Sequence, residues 1–271
     1  MVANSSGFER VQTGGWRRGF ANLFAKENKA WWRSHRWLIQ AVLWTVVIQG
    51  LLAFVLFVIP AMLPQMDPAE AETFEAVPQG VQALYQLGTI ALGLGAVLLA
   101  QDQILGERLA GVTAWILSKP VSRPAYFLSK LAADTLGVLV VLVGLQSALA
   151  YGLISLANGA PIAAGPFLLA SAGLALHTLF YLVLTLAMGV WTESRGPLLG
   201  VPLGALFGGL LLANMLGPVA LFTPFALAGV LPAVALGLEM PLPPAVPLGM
   251  TAALTVACLA LALRKLQKLE F

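Results

Sequence analysis

The 271 residues are 59% hydrophobic and only 10% charged, with a mean hydropathy of +0.87. A soluble domain is typically about one quarter charged, so this composition excludes a soluble globular fold and points to the bilayer. The net charge of +3 follows from how cations sort along the chain and carries no nucleic-acid reading.

Residues 1–15 are polar and read as a loose leader. No removable signal peptide is expected, because the first apolar run starts late and is too long for an h-region. Residues 16–36, "WRRGFANLFAKENKAWWRSHR", place Trp16, Phe20, Leu23, Phe24 and Trp31 near helical spacing, with Arg17, Lys26, Lys29 and Arg33 on other faces. The pattern predicts an amphipathic elbow helix in the membrane interface, aromatics at headgroup level and cations in water.

Long runs without Asp, Glu, Lys or Arg follow. A spanning helix needs roughly 20 apolar residues, and lipid leaves helices as the state that satisfies its own backbone. Six spans are expected, near 37–62, 81–101, 126–156, 165–191, 197–216 and 243–263. The fold class is an all-α polytopic membrane protein, one transmembrane domain over 1–271. The loop "PQMDPAEAETFEAVPQG" reads as an exposed acidic linker. Residues 217–242, apolar but rich in Pro and Gly, read as two broken half-helices of re-entrant type before the sixth span.

All 15 Lys and Arg precede the first span, lie between spans two and three (Lys130 just inside the start of the third) or four and five, or follow the sixth. The opposite side carries acids alone: Asp67, Glu70, Glu72, Glu75 and Glu239. The positive-inside rule makes the basic side cytoplasmic and puts both termini there.

Chemistry is sparse. No G-x-x-x-x-G-K-[ST] loop, H-E-x-x-H or G-x-S-x-G elbow is present, and Cys258 stands alone. No catalytic set and no metal site is expected. His177, with Tyr181 one turn on, is the mid-membrane candidate, and Gln49, Gln146 and Asn214 either join helices or line a path. Gly93, Gly95, Gly204, Gly208 and Gly209 are expected to permit close helix packing. Asp134, four residues after Lys130, is expected to pair with it locally.

One stretch departs from this plainness. "ILGERLAGVTAWILSKPVSRPAYFLSKL", residues 104–131, holds charge between charge-free runs. Gly111 and Pro120 break it, "VTAWILSK" is too short to cross, and Ser122 with Pro124 signals a new helix start. A helix–short helix–helix corner on the cytoplasmic side is expected.

These residues resemble the cytoplasmic loop of ABC-2 type permeases, the six-span membrane subunits of ABC transporters. The match runs through Gly106, Glu107, Gly111, Leu117, Ser118, Lys119, Pro120, Val121, Ser122, Arg123 and Lys130. Val112 stands where the family usually has Thr. The resemblance implies a coupling helix within 104–123 that fits a groove on a P-loop ABC ATPase dimer, with ATP and Mg on that partner and no cofactor on this chain. It implies a second permease copy or a sister permease, and export across the cytoplasmic (inner) membrane. Glu107 and Arg108 would pair across the ATPase interface, and Arg123 would reach the ATPase or anchor Glu107. An ATP-independent channel or carrier, a membrane-embedded enzyme and an assembly factor are the alternatives.

Overall fold

A computed structural model describes residue 15 and residues 17–269, apart from the Asn214 side chain. The leader and Trp16 lie outside the described residues, and so does the Asn214 side chain. Among the described residues the regular elements are all helical. Six are long and apolar enough to cross a bilayer: Arg36–Met66, Ala76–Leu109, Arg123–Asn158, Ala164–Trp191, Arg195–Ala213 and Ala245–Lys268. The sequence-predicted ends hold to within a few residues for most. The second span is longer at both ends: Pro78 falls in its first turn, where a missing N–H costs nothing, and a turn over 101–104 carries it on into Leu105–Leu109. The sixth continues through Arg264, Lys265 and Lys268, cations that suit a helix C-terminus.

The second and fourth spans form the centre, and their mutual contact is among the most extensive in the molecule. Small residues set their neighbours' distances. A Cβ on Gly93 would meet Leu206 at 2.9 Å, and one on Gly95 would meet Leu142 and the Trp44 indole at 2.8 Å. Gly209 lies against Phe225. Gly204 and Gly208 differ from expectation: nothing lies within 4 Å of a Cβ built there. They lie on a π-helical turn of the fifth span whose glycines look away from the bundle. Approaches as tight as that at Gly209 occur at Gly137, under Trp31, and at Gly173, under Leu231.

Two loops are more ordered than the sequence suggested. The acidic linker contains a helix, Pro68–Thr73. Asp67 caps it by accepting from the N–H of Ala69 and of Glu70, both at 3.1 Å, and Pro68 opens its first turn. Residues 217–242 hold 3-10 turns at Gly217–Phe222 and Pro224–Ala226, then a helix, Leu227–Leu236. Leu227 and Leu231 of that helix are fully buried, Leu231 against Gly173 of the fourth span. The short helix is thus packed onto the bundle, and Gly237 ends it in the left-handed conformation.

The elbow helix runs Phe20–Arg33 and lies along the start of the third span. Phe20, Leu23, Phe24, Glu27 and Trp31 form its inward face. Phe20 and Phe24 stack at 6.0 Å and are half-buried. Trp31 is buried on Gly137, facing protein where the sequence suggested lipid headgroups.

Candidate functional site

The corner between the second and third spans is built from three short events. The second span's main run ends at Ala100, and a turn over 101–104 leads into Leu105–Leu109. Gly111 then adopts φ 71°, a conformation that favours glycine, and starts the corner helix Val112–Leu117. Ser122 accepts from the N–H of Ala125 at 3.1 Å and caps the third span, with Pro124 in its first turn.

Glu107, Arg108, Arg123 and Lys130 are turned inward, while Lys119 stays on the outer surface. Arg108 donates to the carbonyls of Gly189, Val190 and Thr192 at 2.9, 3.1 and 2.8 Å. Arg123 donates to Leu266 and Gln267 carbonyls at 3.1 and 2.6 Å. Each arginine meets the C-terminal carbonyls of a span, groups that lack intrahelical partners and carry the negative end of the helix dipole. One corner therefore clamps the ends of the fourth and sixth spans. Within this chain both arginines are engaged in this bracing.

Glu107 is the second brace. Tyr126 donates its hydroxyl proton to Glu107 Oε2 at 2.8 Å, and Lys130 Nζ donates to Oε1 at 2.9 Å. Lys130 also reaches Glu27 of the elbow helix at 3.3 Å. Thr113 of the corner helix lies 3.1 Å from the Tyr126 hydroxyl. The Tyr126 proton is committed to Glu107, so Thr113 is the donor to Tyr126. Lys130 is essentially buried, so its charge requires these two carboxylates. The expected Lys130–Asp134 pair does not form: Lys130 turns to Glu107 and Glu27, and Asp134 Oδ2 has no hydrogen-bond partner among the described residues. At the outer edge, Arg195 and Asp102 pair at 3.2 Å, both well exposed, and contribute little.

The exposed face of the corner is apolar. Leu109 and Trp115 are each 64% exposed, and Val112 is exposed beside them. Thr113 and Ile116, on the other side of the same helix, are buried. Lys119 sits over the Trp115 ring at 4.4 Å, and Ser118 bonds the Trp115 carbonyl at 2.8 Å. Ser118, Lys119 and Pro120 complete the outer surface, and Gly106 packs close to Asp102. Trp115, Leu109, Glu27 and Tyr126 were not singled out from the sequence. Glu27 had a signal: it is an acid on the aromatic face of an otherwise basic helix.

The mid-membrane candidates join helices. Gln49 Nε2 donates to the Gln146 carbonyl at 3.0 Å and to its side-chain oxygen at 3.1 Å, and Gln146 Nε2 donates to Thr45 Oγ1 at 3.0 Å. Gln49 and Gln146 are buried between the first and third spans, and Thr45 is half-buried. His177 Nε2 lies 3.2 Å from the Thr89 carbonyl, and its ring centroid is 5.0 Å from that of Tyr181. His177 and the glutamines are thus not brought to one place. Among the described residues no cluster of His, Cys, Asp and Glu could hold a metal ion.

Six apolar spans and a braced corner with an apolar outer face define an integral membrane protein built around one end. The family model described as "ABC-2 family transporter protein" matches residues 21–268, and the chain belongs to that family as an ABC-2 type permease. A comparison with curated proteins found no match.

Proposed function

We propose that this chain is the membrane-spanning subunit of an ATP-driven exporter, moved by a separate P-loop ATPase that docks on the corner. The observation that carries the reading is the split character of residues 104–123. The outer face, with Leu109, Val112 and Trp115, is apolar and exposed, as a partner-binding surface requires. The inner face ties by Arg108, Arg123 and Glu107 to the fourth span, the sixth span and the elbow helix. A push on such a corner is shared by several spans at once.

In this reading the corner lies in the cytoplasm with both termini, because the cations sort to that side. ATP and Mg bind the ATPase pair. A second permease, identical or related, covers part of the apolar surface that the first, fifth and sixth spans leave open. The elbow lies at the membrane surface, and Glu27 binds it to Lys130, which in turn holds Glu107 of the corner.

The test is co-purification of the tagged chain in mild detergent, with ATP hydrolysis measured on what accompanies it. Trp115→Ala should cut association with the ATPase on the order of thirtyfold, the loss of a central aromatic anchor. Unchanged association in a folded variant contradicts the reading.

A further inference from the structure

A polar cavity of about 330 Å³ lies where the first span begins and the main run of the second ends. Its walls are of opposite character. On one side stands Arg36, which forms no salt bridge among the described residues. Beside it is Gln40, whose side-chain oxygen accepts from Trp44 at 2.6 Å, so its amide N–H groups remain as donors. The first span starts at Arg36, which adds the positive end of a helix dipole. Trp31 lines the same cavity, and its buried indole N–H has no hydrogen-bond partner among the described residues. A buried donor left unpaired is costly.

The other side offers acceptors. Gln101 donates its amide to the Leu98 carbonyl, which leaves its own oxygen as an acceptor. Asp102, whose Oδ1 is paired with Arg195 at 3.2 Å, adds its second carboxylate oxygen, and the helix run ending at Ala100 adds the negative end of a dipole. The cavity is also lined by Ile39 and Leu98, which are apolar and exposed. Donors and acceptors at headgroup level, with an apolar exit along the spans, match an amphipathic zwitterion.

We propose that this cavity holds one phospholipid with an aminoalkyl phosphodiester headgroup, its phosphate at Arg36 and Gln40, its ammonium at Asp102 and Gln101. Pockets between spans at the membrane surface are where lipid heads are recognised, and charge-assisted bonds to phosphate are the strong ones. The inference is independent of the ATPase reading, since it needs only the two spans.

The test is native mass spectrometry of the full chain in detergent, titrated with phosphatidylethanolamine, phosphatidylglycerol or inorganic phosphate. One phosphatidylethanolamine should stay bound, with phosphatidylglycerol about tenfold weaker and millimolar phosphate unable to displace it. Arg36→Gln should weaken retention about tenfold, and Asp102→Asn should erase the preference over phosphatidylglycerol while leaving lipid bound. Both residues are exposed, and the melting temperature reports whether each variant folds. Equal retention by folded Arg36→Gln, equal binding of both lipids to the wild type, or displacement by free phosphate overturns the proposal.

Discussion

Replacing Lys130 by Met removes the cation that holds the corner to the elbow. Lys130 has about 1% of its side chain exposed, while Glu107 and Glu27 have 21% and 14%. Deleting one partner of a buried ion pair costs about 3–5 kcal/mol, because the remaining charge is left uncompensated. Here both carboxylates keep some water, and Tyr126 still donates to Glu107. The lower end, about 3 kcal/mol, is expected, equivalent to a fall of roughly 6–12 °C in melting temperature if the scaling for soluble domains carries over. The assay is thermal unfolding of the chain in nanodiscs, followed by the tryptophans. The control is the double variant Lys130→Met with Glu107→Gln, which removes charge of both signs. It should recover part of the loss, since a neutral amide still accepts from Tyr126. A single variant as stable as wild type, or a double variant no better than the single, refutes the electrostatic account of the brace.

Two further outcomes follow from local geometry. Ser122→Ala removes the cap of the third span and should cost about 1 kcal/mol, read as a lower melting temperature; Ser122→Asp should retain most of the stability because it can still cap. Gly137→Val places a branched side chain against Trp31 and should cost about 1–3 kcal/mol with a changed tryptophan emission, while Gly204→Val, on open space, should change neither.

Much of the architecture could be read from charge alone. Runs without ions mark the spans, and Gly111, Pro120, Ser122 and Pro124 mark the corner, because breaks and caps act within a few residues. The directions of the side chains could not be read that way. Arg108 looks like a surface cation until the end of the fourth span, 81 residues later, is placed beside it. Lys130 has a carboxylate four residues on, at Asp134, yet it binds Glu27 from 103 residues away and Glu107 from 23. Local spacing ranks partners only when no distant one arrives with better geometry. The same limit explains the glycines. Gly204 and Gly208 sit in a small-residue pattern but face open space, and Gly137 has no pattern yet lies under an indole. The exposed face of the corner was hidden for a related reason: nothing in the local spacing of 112–117 says that Thr113 and Ile116 take the inward side and leave Trp115 outside.

Photo-crosslinking in intact cells from position 115 tests the central claim most directly. The account predicts adducts with a P-loop ATPase from position 115, and none from Leu238, also well exposed, at the opposite, acidic end. Adducts with an ATPase from both positions, or from neither while the chain is folded in the membrane, contradict it.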